Sequence, residues 1–418
     1  MSSSLRILMC CNDSRGWWHT LRTLDIATSL CRALDDCSIL LLTDLATIGR
    51  FKLANRVDYI HLPTLNGNDQ HSSLSPGLNI EYSNTLKMRR KIAESAIKTF
   101  HPDLVMLDDS LLDVPYAYDT QKIVSSLAEE LPNAKVVWGL SDTLGEPSTV
   151  IRQWARNEVL TLFDRFADEI FVFGTRQIFD AAKAYRVPEH IAQKFVYTGY
   201  LARRVMPPRH VGGVVTQTNQ ALPMVILASE GSSHDFAMID AYLRFLESGT
   251  GGPQVRSFIV AGPAIGSQEK HHLASRAKKL PNVIFHRFDK HLLHYVRYAD
   301  LVICNGGYNM MCEVVAHRKR AIVVPSLTEQ PDNVCRARLF QERGLVTVMQ
   351  SSEFHPQALR EMISQLLGGG LRLVRKTQHD KIDLDGLKRI PERIRLLTEG
   401  AASEEYQPME MIPTTLAA

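Results

Sequence analysis

Several signatures that would assign this chain quickly are missing. None of its seven cysteines, at 10, 11, 31, 37, 304, 312 and 335, forms a CxxC pair, and most lie in apolar runs. That argues against a zinc site and fits reduced, buried thiols in a cytoplasmic protein. No long apolar stretch stands behind the opening MSSSLRILMCCNDSR, so neither a signal peptide nor a transmembrane helix is expected. Charge is nearly balanced, at +3 over 418 residues with 22% charged, which speaks against a nucleic-acid binder and an acidic tail. Without a basic amphipathic helix, membrane contact is peripheral at most. The first strand is not followed by GxGxxG, which removes the main support for a nicotinamide enzyme. Short-period repeats and low-complexity segments are absent too.

What is present is alternation. Apolar runs at Leu5 to Cys11, Ser38 to Leu42, Tyr59 to Leu62, Pro102 to Asp109, Lys135 to Gly139, Glu169 to Gly174 and Lys194 to Gly199 are spaced by helical stretches. These include His19 to Leu34, the basic Leu86 to Phe100 and a long helix through Trp154 to Phe166. Such a pattern predicts a parallel, doubly wound sheet. A first domain therefore spans 1–200, and the Pro- and Gly-bearing span 201–223 is a linker. A second domain over 224–373 restarts the pattern with strands at Met224 to Ala228, Ser257 to Ala261, Val283 to Phe288, Leu301 to Cys304, Ala321 to Val324 and Gly344 to Met349. Helices at Pro356 to Leu367 and Ile390 to Leu397 follow, the latter in a C-terminal segment 374–399, and a tail over 400–418 is expected to be disordered. The polar span Asn66 to Ser83 is expected to be a mobile loop over the acceptor side of the cleft.

The stretch around Asn305-Gly306-Gly307 carries the chemistry. A buried strand ends there, and Met310, Met311, Val314 and Val315 recur at helical spacing directly afterwards. Strand, Gly-Gly, helix is an anion site, because the glycines admit close backbone approach and the first-turn N–H groups meet a phosphate with the positive end of the dipole. Glu313 sits too deep to cap that helix, and its two oxygens suit a vicinal diol. Diphosphate plus ribose means a nucleotide. The polar loop Thr328 to Asn333, after the next strand, lies where ligands bind in open α/β sheets.

These residues, Gly306-Gly307-Tyr308-Asn309, Cys312-Glu313, and Glu329, Gln330 and Asn333, resemble the donor half of GT-B nucleotide-sugar glycosyltransferases. The likeness is to the peptidoglycan N-acetylglucosaminyltransferase group and a related bacterial family of predicted glycosyltransferases, over roughly a hundred residues. It implies two Rossmann-like domains around a cleft, a nucleoside-diphosphate sugar donor, UDP-linked, and a small-molecule or lipid-linked acceptor. It further implies inverting displacement and a last helix that crosses back onto the first domain, while no metal or other cofactor is expected. In the first βα loop, His19 matches the family histidine, while Trp18 stands where a second glycine is usual and Ser141 where the family has arginine. Ser232, in the turn after Met224 to Ala228, is carried over to the donor phosphates and Phe288 to the base. Gly16, Trp17, Trp18, Arg22 and Asp142 fall on the acceptor side.

For catalysis, His19 is the candidate base, with Asp108 or Asp109 orienting its ring. Arg22, a turn later, could meet a phosphate or acceptor charge. Asp108-Asp109 lacks the spacer of a DxD metal motif, and the helix after Gly306-Gly307 could receive the leaving-group charge. Each residue has a plainer alternative. His19 could be a helix-start surface residue, Asp108 and Asp109 could cap the next helix, and Glu313 could pair with Arg318. Trp17 and Trp18 could pack the domain seam rather than stack on a sugar. Tyr308 and Asn309 could be packing residues, and Cys304 and Cys312 small core residues. Two other functions share the pattern: a nucleotide-sugar 2-epimerase and a non-catalytic nucleotide-sugar-binding protein.

Overall fold

The computed structural model describes residues 4–13, 16–65, 78–112, 117–203, 219–229, 234–249, 253–262, 265–326, 330–368 and 382–399. In the first domain the strands are β1 (Leu5–Cys11), β2 (Cys37–Thr43), β3 (Val57–His61), β4 (Leu104–Asp108), β5 (Lys135–Ser141), β6 (Glu169–Phe173) and β7 (Phe195–Tyr197). They pair in the order β3-β2-β1-β4-β5-β6-β7, every pair parallel. All five residues of β4 and of β6 are buried. A parallel strand is covered by helices on both faces, which is why these strands read as continuous apolar runs.

Its longer helices are α1 (Trp18–Ala33), α2 (Tyr82–Phe100), α3 (Ala117–Glu130), α4 (Pro147–Arg156) and α5 (Val159–Phe166). The single helix expected through Trp154 to Phe166 is two, because Glu158 turns left-handed at φ +53° between α4 and α5. Helix α2 begins four residues before the expected Leu86, at Tyr82.

The second sheet has β8 (Met224–Ala228), β9 (Arg256–Val260), β10 (Val283–His286), β11 (Leu301–Cys304), β12 (Arg320–Val323) and β13 (Thr347–Val348), again parallel, in the order β10-β9-β8-β11-β12-β13. Helices α6 (His234–Glu247), α7 (Ser267–Ala277), α8 (Tyr308–Ala316), α9 (Pro331–Glu342) and α10 (Pro356–Leu367) cover it. In both sheets the winding reverses once, between β1 and β4 and between β8 and β11. Beyond the carboxyl ends of the strands at such reversals, helices diverge and leave a crevice. The loops there carry His19, Asp108 and Asp109 on one side and Asn305 to Gly307 on the other.

The two domains are shut against each other. One apolar cluster runs from the α1 face of the first sheet through Tyr200 and Tyr308 into the second. The last helix, α11 (Gly386–Thr398), returns to the first domain: it packs on α1, Arg395 donates to the Ala33 carbonyl at 2.9 Å, and Arg393 pairs with Glu169 at 2.5 Å. Its start passes so close to residues 199–201 that a Cβ on Gly386 would lie 2.5 Å from the Gly199 carbonyl oxygen. Among the described residues, no helix is long and apolar enough to cross a membrane.

Candidate active site

The first half of the site is assembled by α1 and the end of β4. His19 lies in the first turn of α1, and its Nδ1 sits 2.7 Å from Asp108 Oδ1 and 3.2 Å from Asp109 Oδ1. One turn on, Arg22 brings Nη2 to 2.5 Å from Asp108 Oδ2, 2.6 Å from Asp109 Oδ1 and 3.0 Å from His19 Nδ1. Its Nη1 donates to Ser141 Oγ at 2.5 Å, so the serine standing where the family has arginine receives a guanidinium from α1. Asp109 also accepts the Ser141 N–H at 2.7 Å, and Asp108 the Ser110 N–H at 3.0 Å. Asp108 thus caps the short turn after β4 and holds His19 at the same time.

Charge here is nearly self-contained. His19, Asp108 and Asp109 bring ligand atoms within 4.8 Å of one another, a spacing that could hold a metal ion. Arg22 Nη2 occupies the middle of that cluster, so the two carboxylates already face a cation. Burial opposes charge on His19, yet Asp108 and then Asp109 outweigh it and hold the imidazole well above its usual pKa. Burial likewise opposes ionisation of Asp109, and Arg22 and His19 override it and keep that carboxyl well below its usual range. The His19 side chain remains 37% exposed. With Nδ1 committed to the carboxylates, and no described residue bonding Nε2, that nitrogen is the one available to a substrate.

Behind α1 stands a residue the sequence pattern did not single out. Asp13 is buried, and its carboxylate accepts the N–H groups of His19 at 3.1 Å and Thr20 at 2.5 Å. It closes the helix start from four residues before Trp17, the residue just ahead of the helix. The Asp13 N–H donates to Asp44 Oδ1 at 2.7 Å, and Arg89 reaches Asp44 Oδ2 at 3.5 Å and Asn12 Oδ1 at 2.8 Å. Burial pushes the Asp13 carboxyl up to about 6 against the pull of His19 and Thr20.

On the other half, β11 ends at Cys304, and Gly306 takes φ +90°, where a Cβ would lie 2.8 Å from Val323 Cγ1. Glycine alone enters that turn without strain. Helix α8 then starts at Tyr308 with no side chain capping it, leaving first-turn N–H groups for an anion. The loop is braced from α9: Gln330 Oε1 accepts from Asn305 Nδ2 at 3.0 Å and Asn333 Nδ2 at 2.7 Å. Glu313 is buried, its Oε1 accepting the Arg203 N–H at 3.3 Å and its Oε2 lying 3.4 Å from His317 Nε2. The side chain beside that oxygen is therefore His317 rather than Arg318. Each oxygen keeps a further acceptor position.

Several candidate ligand residues serve the seam. Asn309 Nδ2 donates to the Trp18 carbonyl at 3.0 Å, and the Tyr308 hydroxyl donates to the Phe173 carbonyl at 2.8 Å and accepts the Leu201 N–H at 3.1 Å. Trp17 is 2% exposed and packs on Phe288 at 4.8 Å and on Trp18 at 4.6 Å between ring centroids, the seam-packing alternative for that residue. Asp142 is not open to an acceptor: it receives Arg336 Nε at 2.8 Å and the Tyr200 hydroxyl at 3.2 Å. Gly16 lies in the turn before α1, its N–H directed at the Asp13 carbonyl at 3.4 Å. Ser232 and Glu329 lie outside the described residues, as do 66–77 of the expected loop, 204–218 of the linker and the tail from 400.

Arg336 was also missed. Fully buried on α9, it donates to Asp142 across the seam, to the Gly306 carbonyl at 3.1 Å and to Asn333 Oδ1 at 2.9 Å. The Tyr308 ring centroid lies 5.6 Å from its guanidinium carbon and 5.5 Å from that of Arg22.

Residues 253–393 match the model of the glycosyltransferase family 28 C-terminal domain. Over 84 residues the chain is 37% identical to the UDP-N-acetylglucosamine--N-acetylmuramyl-(pentapeptide) pyrophosphoryl-undecaprenol N-acetylglucosamine transferase of Rubrobacter xylanophilus, covering 20% of this chain and 25% of that one. The match thus spans a quarter of that relative's length. Whole-chain likeness is structural. MurG of Acinetobacter baumannii superposes with a TM-score of 0.56 at 14% identity, over 94% of this chain and 99% of its own. The calicheamicin glycosyltransferase CalG4 gives 0.59 at 16%, over 96% and 100%. A putative UDP-N-acetylglucosamine 2-epimerase from Listeria monocytogenes gives 0.61 at 10%, over 98% and 99%. The chain has the GT-B fold, and residues 253–393 match the glycosyltransferase family 28 C-terminal domain.

Proposed function

We propose that this protein transfers a sugar from a nucleoside-diphosphate donor, UDP-linked, to an acceptor hydroxyl, inverting the anomeric centre and using no metal. One observation carries the reading. The Asn309 side chain, in the first turn of α8, is bonded to the carbonyl of Trp18, the residue before His19, so an uncapped helix start and an imidazole on a carboxylate pair share one cleft.

In this arrangement the donor diphosphate rests on the start of α8, and Glu313 takes the ribose diol. Entry of the ribose displaces the Arg203 backbone from Glu313. Nε2 of His19 accepts the acceptor proton while Nδ1–H stays on Asp108. The acceptor oxygen bonds to the anomeric carbon as the bond to the diphosphate breaks, and the released charge meets the α8 N–H groups and the positive end of its dipole. The closed seam excludes water, which would otherwise compete as acceptor. Nucleotide sugars being cytoplasmic substrates, we place the protein there, with membrane contact at most peripheral.

The test is acceptor-dependent release of nucleoside diphosphate from UDP-sugars across an acceptor panel. Release only with acceptor, and lost in His19→Ala, supports transfer. Release without any acceptor, accompanied by a C2-inverted sugar, would instead establish the epimerase. Tight UDP-sugar binding with no release under any condition would mean a binding protein.

A further inference from the structure

The two helix starts that face the cleft differ in one respect that bears on the acceptor. Helix α8 begins uncapped, whereas α1 begins on a buried carboxylate: Asp13 takes the N–H groups of both His19 and Thr20. A helix start is where a phosphate would otherwise be bound, and on the His19 side that position is filled by the protein's own anion.

The surrounding charges point the same way. Asp13, Asp44, Asp108 and Asp109 are all buried within or directly behind the His19 cluster. Against them, among the described residues, stand two guanidiniums and His19. Arg22 is spent on Asp108, Asp109 and Ser141, and Arg89 on Asp44, Asn12 and the Pro63 carbonyl. Both are themselves buried, so neither presents its charge to the cleft. An incoming phosphate would meet an excess of carboxylates at short range in a low-dielectric site, and among the described residues of this cluster the exposed Nε2 of His19 is the one donor left to meet it.

We infer that the acceptor is an uncharged hydroxyl compound where it meets His19, carrying no phosphate or diphosphate on that side of the cleft. This rests on the transferase reading and narrows it. The Rubrobacter relative's name specifies a pyrophosphoryl-undecaprenol acceptor; the α1 start of this chain is built against that chemistry. Phosphate recognition is confined to the donor half.

Geranyl diphosphate, a soluble alkyl diphosphate, provides the probe. It is titrated into the full chain saturated with UDP, with histidine-labelled NMR reporting on His19, whose resonance is assigned by its loss in His19→Gln. In the wild type the His19 resonance is expected to stay unmoved up to about 1 mM ligand. In Asp13→Ala, which frees two N–H groups and removes one negative charge, geranyl diphosphate should bind at least about tenfold more tightly. Arg15→Ala is run alongside, since the same loop carries that one further cation. A shift of His19 in the wild type, whether or not Arg15→Ala abolishes it, overturns the inference. Should Asp13→Ala fail to fold, the wild-type titration decides alone. UDP binding is measured separately at the second domain; its absence would sink the transferase reading, while the His19 titration would still report on the first domain.

Discussion

Replacing His19 by alanine lowers kcat/KM for sugar transfer by about 10²–10⁴-fold, the range that positioned proton transfer contributes, and leaves UDP binding intact. Truncation at this position touches neither α8 nor Glu313, so affinity for the nucleotide reads the donor half independently. The accompanying pH dependence has a definite sign. Asp108 and Asp109 overcome burial and raise the His19 pKa well above 6.5. The base form therefore appears only as pH climbs through that raised value, and kcat/KM keeps rising above neutrality instead of levelling off near 6.5. Asp108→Asn removes the strongest of the raising influences and moves the acid limb to lower pH, at the cost of a less basic imidazole. The same shift has a stability counterpart. Protonated His19 stabilises the fold fully below its unfolded pKa, and that contribution disappears as pH rises through the folded value. Loss of UDP affinity in His19→Ala, or a rate flat from pH 6 upward (roughly its ordinary titration range), contradicts the assignment.

Arg336→Met destabilises the protein by about 3–5 kcal/mol, the scale for stripping one partner from a buried ion pair. Arg336 is fully buried, and its removal leaves Asp142, itself 2% exposed, without a countercharge and the Gly306 carbonyl without its Arg336 donor. Burial already raises the Asp142 pKa, with Arg336 opposing it. Without the guanidinium that pKa rises further, and the folded state binds a proton that the unfolded state does not. The loss is accordingly greatest at neutral pH and shrinks on acidification. Asp142→Asn in the Arg336→Met background should recover part of it, a coupling that a double-mutant cycle reads directly. Arg336→Lys is a poor substitute, because one ammonium cannot reach Asp142, Gly306 and Asn333 in a fixed fork. Because Arg336 also braces the Gly306 turn, nucleotide affinity falls with stability. An Arg336→Met protein as stable as wild type in denaturant titration would show that the seam does not depend on this pair.

Strand positions were legible because parallel strands here are buried on both faces, and runs such as Leu104 to Leu107 or Leu301 to Cys304 admit no other reading. The Gly306-Gly307 turn was legible for a related reason: a strand that ends on two glycines and restarts as a helix has little conformational freedom in how it can do so. Helix α9 was not seen. Its buried face includes Asn333 and Arg336 among Cys335, Ala337 and Phe340, so the apolar stripe that marks a helix is interrupted where it matters most. Pro331 and the polar residues before it looked like loop, although proline is at ease in a first helical turn. For the same reason α11 was expected to begin at Ile390, one residue before Pro391, when it begins at Gly386. Partnerships across the seam leave no local trace. Nothing near Tyr308 announces Arg22, nor anything near Asp142 its arginine 194 residues away. Asp13 could have been suspected, as an acidic residue shortly before a helix whose flanking residue, Trp17, cannot cap it. The tryptophans drew attention instead, and Trp17 proved to be buried against Phe288.

The most direct test of a nucleotide-sugar site on α8 is calorimetric titration of UDP, with GDP and TDP beside it, into wild type and Glu313→Ala. The account predicts saturable binding of one diphosphate, UDP, by the wild type and its loss in Glu313→Ala, with the fold of the variant confirmed by an unchanged unfolding transition. Binding of none of the three, or binding that Glu313→Ala leaves untouched, would contradict it.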